Sequence, residues 1–203
     1  MSSIAIVQSG PVYNDIARSL EKAEALISDA SKSGADLIAF GECWLCGYPA
    51  WLDYSPNVAV WDSEPVKAVW AKMYENALEV PGEALERIQK IAKDKSIHII
   101  IGANEVVKIG PGNGSLYNVV LFVDNDGHLR NHHRKLMPTY TEKLVHGLGD
   151  GKGLRVVDTN IGRIGSLICW EHWMPLARQA MHDEAEDIHF ALWPYVKEMH
   201  QIA

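Results

Sequence analysis

Cysteine is scarce in this chain, and its odd number argues against a disulfide-stabilised fold. The 203 residues include only three cysteines, at positions 43, 46 and 169. A framework of paired disulfides needs an even number, and such frameworks are typical of small secreted domains. The count therefore favours a reducing compartment, and we expect a cytoplasmic protein.

Positive charge and long hydrophobic runs are also lacking. Lys and Arg together number 19 against 26 Asp and Glu, which gives a formal net charge of −7. This balance disfavours a phosphate-backbone partner. No apolar stretch approaches the roughly 20 residues that span a bilayer, and residues 1–10 lack the basic start of a secretion signal. We expect no nucleic-acid partner, no membrane insertion and no signal peptide.

The chain has an ordinary globular composition, with 47% hydrophobic and 22% charged residues. We identify no repeat, low-complexity tract or linker. Residues 1–203 are therefore expected to form a single domain that is large enough to bury a core.

Apolar periodicity predicts the secondary structure, with a period of two residues for strands and 3.6 for helices. In the first half, Asn14 is predicted to cap a helix that ends near Gly34. Further helices are predicted at 65–78 and 83–94, a structured loop at 43–57, and strands at 4–7, 37–40, 97–107 and 116–123.

The second half is predicted to contain more hairpins. The segment 128–133 is expected to be extended, and residues 154–158 and 163–169 to form a hairpin around Asn160-Ile-Gly162. A helix at 176–184, a strand at 188–193 and the start of a helix at 196–202 complete the pattern. This mixture indicates α/β layers around mixed sheets.

Three reactive side chains each follow a strand-like segment. Glu42 lies just beyond residues 37–40, Lys135 follows the extended segment after 116–123, and Cys169 ends 164–169. Strand ends in layered α/β folds commonly meet at a ligand site. If these three meet, Glu42 would take the thiol proton and Lys135 would stabilise negative charge that develops on the substrate.

Each of these residues also has an ordinary explanation. A lone Cys at a strand end is usually a small core residue. A lone Glu or Lys beside a loop is usually a solvated surface charge. The residues taken singly therefore leave both interpretations open.

The surrounding sequence resembles a known family. Three segments occur in the same order as in the nitrilase superfamily, and more narrowly in its nitrilase branch: FGECWLCGYP at 40–49, HRKLMPT at 133–139 and LICWEHWMPL at 167–176. The segments GLGDGKG at 147–153 and Trp193-Pro194 also match in order and place. The resemblance covers essentially the whole chain.

The resemblance implies an α-β-β-α sandwich, in which mixed β-sheets are covered by helices, and a hydrolase without a metal or organic cofactor. By motif, Glu42 is the general base, Lys135 the stabilising cation and Cys169 the nucleophile. Glu142 matches a second glutamate that orients the lysine and assists acid–base steps. The backbone N–H of Trp170 is expected to help bind developing charge.

The implied reaction converts an organic nitrile, a small-molecule substrate, to a carboxylic acid and ammonia. It passes through a covalent thioimidate and a thioester on the cysteine. Aromatic residues beside the motifs are candidates for the pocket wall, namely Trp44, Tyr48, Trp170 and Trp173. The alternative is that such aromatic residues fill the core or a subunit contact.

Other signals point less strongly to different chemistry. Cys43 and Cys46 form a C-x-x-C, but the flanking sequence lacks a redox or zinc context. The nine histidines show no paired ligand spacing. The glycine-rich segment 147–153 lacks the Gly-Lys-Ser/Thr ending of a phosphate loop and is predicted to be a tight turn. We expect no metal site.

Nitrilase-like chains usually continue well beyond the position that matches Trp193-Pro194, whereas this sequence stops at Ala203. We therefore expect a C-terminally shortened sandwich. This keeps open a rival function, a catalytically silent scaffold or assembly subunit. Within the enzyme class, the rivals are an aliphatic amidase and a cyanide hydratase. In either case we expect a homodimer or larger homo-oligomer, with the helix at 174–184 as a contact surface.

Overall fold

The computed structural model describes residues 2–195, and its secondary structure alternates as the periodicity predicts. The helices are α1 (Ile16–Lys32), α2 (Trp51–Tyr54), α3 (Glu64–Glu75), α4 (Glu83–Lys95) and α5 (Pro175–Asp183). The strands are β1 (Ile4–Ile6), β2 (Leu37–Ala39), β3 (His98–Val106), β4 (Leu116–Val123), β5 (Leu129–Arg134), β6 (Val157–Thr159), β7 (Gly162–Ile168) and β8 (Ile188–Leu192). Short 3-10 helices span Tyr140–Leu144 and Cys169–Trp173.

The strands form two sheets of different connectivity. The first has the order β1-β2-β3-β4-β5, with parallel pairing from β1 to β3 and antiparallel pairing from β3 to β5. The second has the order β6-β7-β8, in which β6 and β7 form the predicted hairpin. Strand β8 pairs parallel to β7, because α5 carries the chain back between them. Both sheets are therefore part of a mixed α/β fold.

Three apolar layers hold the sheets and helices together. Leu20 and Ile27 of α1 and Ile88 of α4 pack against one face of the first sheet. The other face contributes Phe122 and its neighbours to a core shared with the second sheet. On the far side of that sheet, Met181 of α5 packs on β7. The order helix, sheet, sheet, helix confirms the predicted α-β-β-α sandwich.

The structure corrects the start of the first helix. Asp15, not Asn14, is the N-cap, and its carboxylate accepts the backbone N–H of Arg18 at 3.0 Å. Asn14 has φ +50°, which belongs to a turn before the helix. Both residue types cap helices well, so only the backbone geometry of the preceding turn distinguished them.

Two other element boundaries differ from the prediction. Helix α3 ends at Glu75, three residues early, because the Leu78 N–H donates to Asn104 O and extends the chain beside β3. The predicted loop 43–57 contains the short helix α2. The helix predicted at 196–202 lies outside the described residues. Among residues 2–195, no helix is both long and apolar enough to cross a membrane.

Candidate active site

Chain direction brings the first two predicted residues to the same edge of the first sheet. Strand β5 runs in the same direction as β2, because two antiparallel pairings separate it from β3. Glu42 follows β2 and Lys135 follows β5, so both emerge where these strands end. Cys169 follows β7 of the facing sheet. The sandwich thereby places all three at one end of the space between the sheets.

The backbone of Glu42 lies so close to β3 that a side chain at position 102 would not fit. A Cβ atom on Gly102 would come within 2.2 Å of Gly41 O and 2.9 Å of Glu42 Cα. Glycine is therefore required there, since it alone permits such a close approach. The backbone N–H of Glu42 donates to Trp193 O at 3.3 Å.

Lys135 joins two carboxylates in a fully buried cluster. Its Nζ lies 2.8 Å from Glu42 Oε1 and 2.8 Å from Glu142 Oε2, and all three side chains have no exposed surface. Burial alone would lower the pKa of Lys135, but the two carboxylates outweigh it and raise that pKa. The lysine is therefore a permanent cation, and its charge is held in place by two partners.

Glu142 is oriented from three sides. Its Oε2 accepts the backbone N–H of Thr139 at 3.1 Å, which closes a capping box at the start of the 3-10 helix. Its Oε1 accepts the hydroxyl of Tyr48 at 2.7 Å. Together with Lys135, these bonds leave the carboxylate little freedom to turn.

Glu42 is arranged to act as a base near neutral pH. Burial raises its pKa to about 7; Lys135 opposes this rise and Glu142 adds to it. Its Oε1 accepts from Lys135 and, at 2.7 Å, from Asn118 Nδ2. Its Oε2 is buried and has no hydrogen-bond partner among the described residues. One carboxylate oxygen of Glu42 lies within 4.8 Å of Cys169 Sγ.

The Cys169 thiol is neutral at rest. Burial raises its pKa, and the charge of Glu42 raises it further, whereas Lys135 and a hydrogen bond from the Trp170 backbone N–H lower it. The thiol proton therefore has to leave as the sulfur attacks, which requires a base within reach. Cys169 itself adopts φ +52°, a strained conformation for a residue with a Cβ atom.

Glu42, Glu142 and Cys169 also offer three ligand atoms within 4.8 Å of one another, which is a spacing suited to a metal ion. Lys135 Nζ hydrogen-bonds both carboxylates of this set. The ammonium group therefore provides the positive charge at the place where a bound cation would lie.

Glu171, which was not among the predicted site residues, links the strand ends that carry Lys135 and Cys169. Its Oε2 accepts the backbone N–H of Ile168 at 2.7 Å, and its Oε1 accepts that of Leu136, also at 2.7 Å. His133 Nε2 lies 2.9 Å from Oε1. One buried carboxylate thus fixes the residue before Cys169 relative to the residue after Lys135.

Asn118 is a second residue that the sequence argument missed. It lies within the apolar strand β4, where only 1% of its surface is exposed. A buried amide needs hydrogen-bond partners, so an Asn inside such a strand is itself a signal of a buried polar site. Its backbone carbonyl also accepts the N–H of Lys135 at 2.8 Å.

The predicted pocket aromatics occupy different places. Trp44 packs edge-on against Phe40 in the helix-side core, and its indole N–H donates to Ser9 O at 2.6 Å. This placement corrects the prediction that Trp44 lines the pocket, since an aromatic beside a motif can equally face the core. Tyr48 contacts Glu142, as described above.

Trp170 and Trp173 pack edge-to-face beside Cys169, with ring centroids 4.2 Å apart. Trp173 is 51% exposed, so it lies at the rim of this region. Both residues remain candidates for the pocket wall.

The remaining motif features are structural. All three cysteines are free, and Cys46 Sγ donates to Asn76 O at 2.7 Å. The glycine-rich segment 147–153 packs on the backbone that carries Lys135, since a Cβ atom at Gly149 would lie 2.7 Å from Lys135 O. The Gly149 N–H donates to that same oxygen at 2.9 Å.

The fold and the Glu–Lys–Cys cluster define a class of α-β-β-α hydrolases, and the sequence comparison identifies the family. The carbon-nitrogen hydrolase family matches residues 3–202, and the chain belongs to it. Relatives include Nitrilase 2 of an unknown prokaryotic organism, 37% identical over 95% of this chain and 59% of its own length. The aliphatic nitrilase of Rhodococcus rhodochrous is 36% identical over 94% of this chain and 50% of its own length. The cyanide hydratase of Stereum hirsutum is 38% identical over 94% of this chain and 48% of its own length.

A solved structure supports the same fold. A double mutant of the amidase from Nesterenkonia sp. AN1, in complex with acrylamide, matches with a TM-score of 0.71 at 18% identity. The match covers 98% of this chain and 67% of the amidase. The chain spans about half to three fifths of the length of the curated relatives it matches.

Proposed function

We propose that this chain carries the catalytic centre of a nitrilase, which hydrolyses an organic nitrile to a carboxylic acid and ammonia. The observation that carries the proposal is the buried Glu42–Lys135–Glu142 cluster with Cys169 Sγ within 4.8 Å of its carboxylates. Such a cluster combines a base, a fixed cation and a nucleophile. The sequence relatives named nitrilase support the choice of substrate class.

The first half of the reaction forms a covalent intermediate. As Cys169 Sγ attacks the nitrile carbon, Glu42 takes the thiol proton and passes it to the nitrile nitrogen, which gives a thioimidate. A base with a pKa of about 7 suits this step, because it can both accept and return a proton at neutral pH. Lys135 and the Trp170 N–H stabilise the charge that develops during attack.

The second half releases the two products. Water adds to the thioimidate, with Glu42 as base, and ammonia leaves to give a thioester. A second water molecule hydrolyses the thioester to the carboxylic acid, and the thiol proton returns to Cys169. Two water molecules and one nitrile therefore yield one acid and one ammonia. Glu142 keeps Lys135 charged and in place throughout.

Intact-protein mass spectrometry after incubation with a panel of small nitriles, with ammonia assayed in parallel, tests this proposal. We expect ammonia release that disappears in Cys169→Ala, because no other group replaces the attacking thiol. The matched control is Cys46→Ala, which removes a buried cysteine whose sulfur faces Asn76 O and should retain turnover. A folded wild-type chain with neither ammonia release nor a Cys169 adduct would contradict the proposal.

The products separate the rivals within the class. A nitrilase yields acid and ammonia from a nitrile, whereas a hydratase stops at the amide. An amidase releases ammonia from amides and leaves nitriles unchanged. The relative named cyanide hydratase makes hydrogen cyanide a necessary member of the panel.

We also propose that the chain self-associates through the surface around α5. Leu176 is 84% exposed and Trp173 is 51% exposed, and both are large apolar residues. Exposed apolar patches commonly mark protein contacts. Analytical ultracentrifugation should show a dimer or larger species that dissociates in Leu176→Glu. A monodisperse monomeric wild type would contradict this.

A further inference from the structure

A chain of hydrogen bonds begins at the nucleophile and runs away from the catalytic cluster. His172 Nδ1 lies 2.6 Å from the backbone oxygen of Cys169. His172 Nε2 lies 2.9 Å from His189 Nε2. His189 Nδ1 lies 2.6 Å from Glu186 Oε2. None of these three side chains has a part in the proposed reaction.

The three hydrogen bonds of this series require more protons than two neutral imidazole rings carry. A carbonyl oxygen only accepts, so the first bond requires a proton on His172 Nδ1. The bond between the two rings requires a second proton, and the bond to Glu186 requires a third. Two neutral imidazoles carry one ring proton each, so the complete series of hydrogen bonds holds one additional proton.

The additional proton belongs at the end of the hydrogen-bond series that contains Glu186 and His189. Burial lowers the pKa of His172, and the charge of His189 lowers it further, although the bond to the Cys169 carbonyl opposes both. His189 Nδ1 lies 2.6 Å from the Glu186 carboxylate, so a proton placed between these two atoms is hydrogen-bonded to both groups. The side chain of Glu186 is only 7% exposed and that of His189 only 20%, so water competes weakly with this pairing.

Other charged groups around these three side chains are more distant from them or more exposed to solvent. Arg178 and Glu171 act on His172 from α5 and from its own 3-10 helix. His182 Nδ1 lies 3.7 Å from Glu186 Oε1, beyond hydrogen-bonding distance, and its side chain is 52% exposed. Neither arrangement replaces any of the three bonds.

The fold leaves space for the Glu186 carboxylate, which is the last group in the hydrogen-bond series. A Cβ atom on Gly165, in the middle of β7, would come within 1.9 Å of Glu186 Oε2. Glycine at this position therefore lets Glu186 lie against the strand that leads to Cys169. The carboxylate cannot keep this position beside a larger residue.

His172 also contacts the other half of the active site. Its ring stacks on Trp193, with centroids 5.6 Å apart and planes at 27°. Trp193 O in turn accepts the backbone N–H of Glu42 at 3.3 Å. One imidazole thus touches both the carbonyl of the nucleophile and the residue that holds the base.

We propose that Glu186, His189 and His172 form a proton-bearing relay that holds the strained backbone of Cys169 in its reactive conformation. His172 is a positioning residue, because it acts through the Cys169 carbonyl and does not touch the reacting atoms. The left-handed conformation of Cys169, with φ +52°, needs such external support. The relay rests on the proposed role of Cys169, but its tests do not require turnover.

The first test counts ring protons directly. Nitrogen-15 NMR of the full unliganded chain at neutral pH should show His189 with both ring nitrogens protonated and His172 as the Nδ1–H tautomer. In Glu186→Gln, His189 should lose one proton. A singly protonated His189 in the wild type would overturn the proposal.

The second test measures the reactivity of the nucleophile without any nitrile. Iodoacetamide should alkylate Cys169 about tenfold more slowly in His172→Leu, which corresponds to about 1.4 kcal/mol, the upper range for one hydrogen bond. His172→Asn should largely restore the rate, because its amide can donate to the carbonyl as Nδ1 does. The rate should also fall in Gly165→Ala, which displaces Glu186.

Controls separate positioning from general loss of structure. Cys43 and Cys46 are 0% and 1% exposed, against 4% for Cys169. Their alkylation therefore reports unfolding in the same sample and should not change. His182→Asn should leave the Cys169 rate unaltered. An equal Cys169 rate in wild type and His172→Leu, or no recovery in His172→Asn, would overturn the relay. A chain with normal alkylation effects but no ammonia release would instead contradict only the nitrilase proposal.

Discussion

The two sides of the active site are held by different means. On the first sheet, Glu42, Lys135 and Glu142 hold one another through charged side-chain bonds in a fully buried cluster. On the second sheet, Cys169 is held through its backbone, because Glu171 fixes the residue before it and His172 its carbonyl. A buried charge needs an oppositely charged or hydrogen-bonding partner. A neutral thiol needs no such partner, and its orientation can be set by the backbone alone.

This difference predicts separable consequences of substitution. A change on the charged side should affect stability and chemistry together, because an unpaired buried charge is costly in both respects. A change on the nucleophile side should mainly alter the reactivity of Cys169.

Lys135→Met should be the most damaging change to the charged side. It leaves Glu42 and Glu142 buried without their cation, which should lower the free energy of unfolding by about 3–5 kcal/mol and abolish ammonia release. Because Lys135 lowers the pKa of Glu42, its removal raises that pKa further. The loss of stability relative to the wild type should therefore shrink as the pH falls and Glu42 becomes protonated. Urea denaturation at several pH values measures it.

The matched control for that change is Lys143→Met. Lys143 lies on the same 3-10 helix as Glu142, but its side chain is exposed. Its substitution should change the free energy of unfolding by less than about 0.5 kcal/mol. Equal stability of the Lys135→Met variant and the wild type would contradict the view that the charged side is a mutually dependent cluster.

Glu171→Gln should weaken the nucleophile side more moderately. The amide keeps one oxygen acceptor but loses the charge that two backbone N–H groups and His133 contact. We expect a loss of about 1.5–3 kcal/mol in the free energy of unfolding, as for a buried charged hydrogen-bond acceptor. Cys169 alkylation should slow as well.

The control for Glu171 is another carboxylate that accepts a backbone N–H but is exposed. Glu184 Oε2 accepts from Val156 N at 2.7 Å. Glu184→Gln should cost less than about 0.5 kcal/mol, because water can replace the lost interaction. Comparable losses in the two variants would indicate that burial is not what gives Glu171 its role.

Asn118→Ala should shift the pH dependence without removing any reacting group. In the proposed reaction Glu42 must be ionised to accept the thiol proton, so the rate should rise with pH through its pKa of about 7. The hydrogen bond from Asn118 lowers that pKa. Its loss should move the ascending limb of the rate profile to higher pH, as measured by ammonia release across pH.

Asn131→Ala provides the comparison for that shift. Asn131 is also buried in a strand, but its amide donates to Gly153 O and not to Glu42. This variant should lose stability and keep the ascending limb where it is. If the ascending limb of the pH–rate profile moved equally in both variants, the shift would reflect a general loosening of the structure and not a change in the pKa of Glu42.

Tyr48→Phe should have the smallest effect. It removes one hydroxyl bond to Glu142, while Lys135 and the Thr139 N–H continue to hold the carboxylate. We expect about 1 kcal/mol of lost stability and a several-fold lower rate. Tyr74→Phe, on α3, is the control and should match the wild type. A loss as large as that of Lys135→Met would show that Tyr48 is part of the charged cluster itself.

Much of the fold could be predicted from the sequence because its elements are strongly periodic. The stripe on α1 and the apolar run of β3 are local patterns that few other structures would satisfy. Boundaries that depend on distant partners were less predictable. Helix α3 ends early because Leu78 finds partners on β3. The local mark of that point is Asn76, the C-cap, whose side-chain amide donates to Lys72 O.

The candidate site divides in the same way. Glu42, Lys135 and Cys169 were predicted from their motifs, and they do lie together. Trp44 was assigned to the pocket because it lies in the same motif as Glu42, yet its ring packs in the helix-side core. Membership of a motif does not determine which way a side chain faces. Glu171 was missed because its role depends on bonds to Leu136 and His133, which lie 35 and 38 positions away in the sequence. A third bond, to Ile168, lies within its own turn.

Local periodicity and motif were enough to predict the α/β class, most element positions and the candidate site residues, because these features are encoded in short stretches of sequence. The contacts among these residues, in contrast, depend on tertiary packing. The proximity of Lys135 to two carboxylates sets the charge state of the cluster, and burial raises the pKa of Glu42 to about 7. Both depend on the closure of one sheet over the other, because distance and solvent exclusion are properties of the packed molecule.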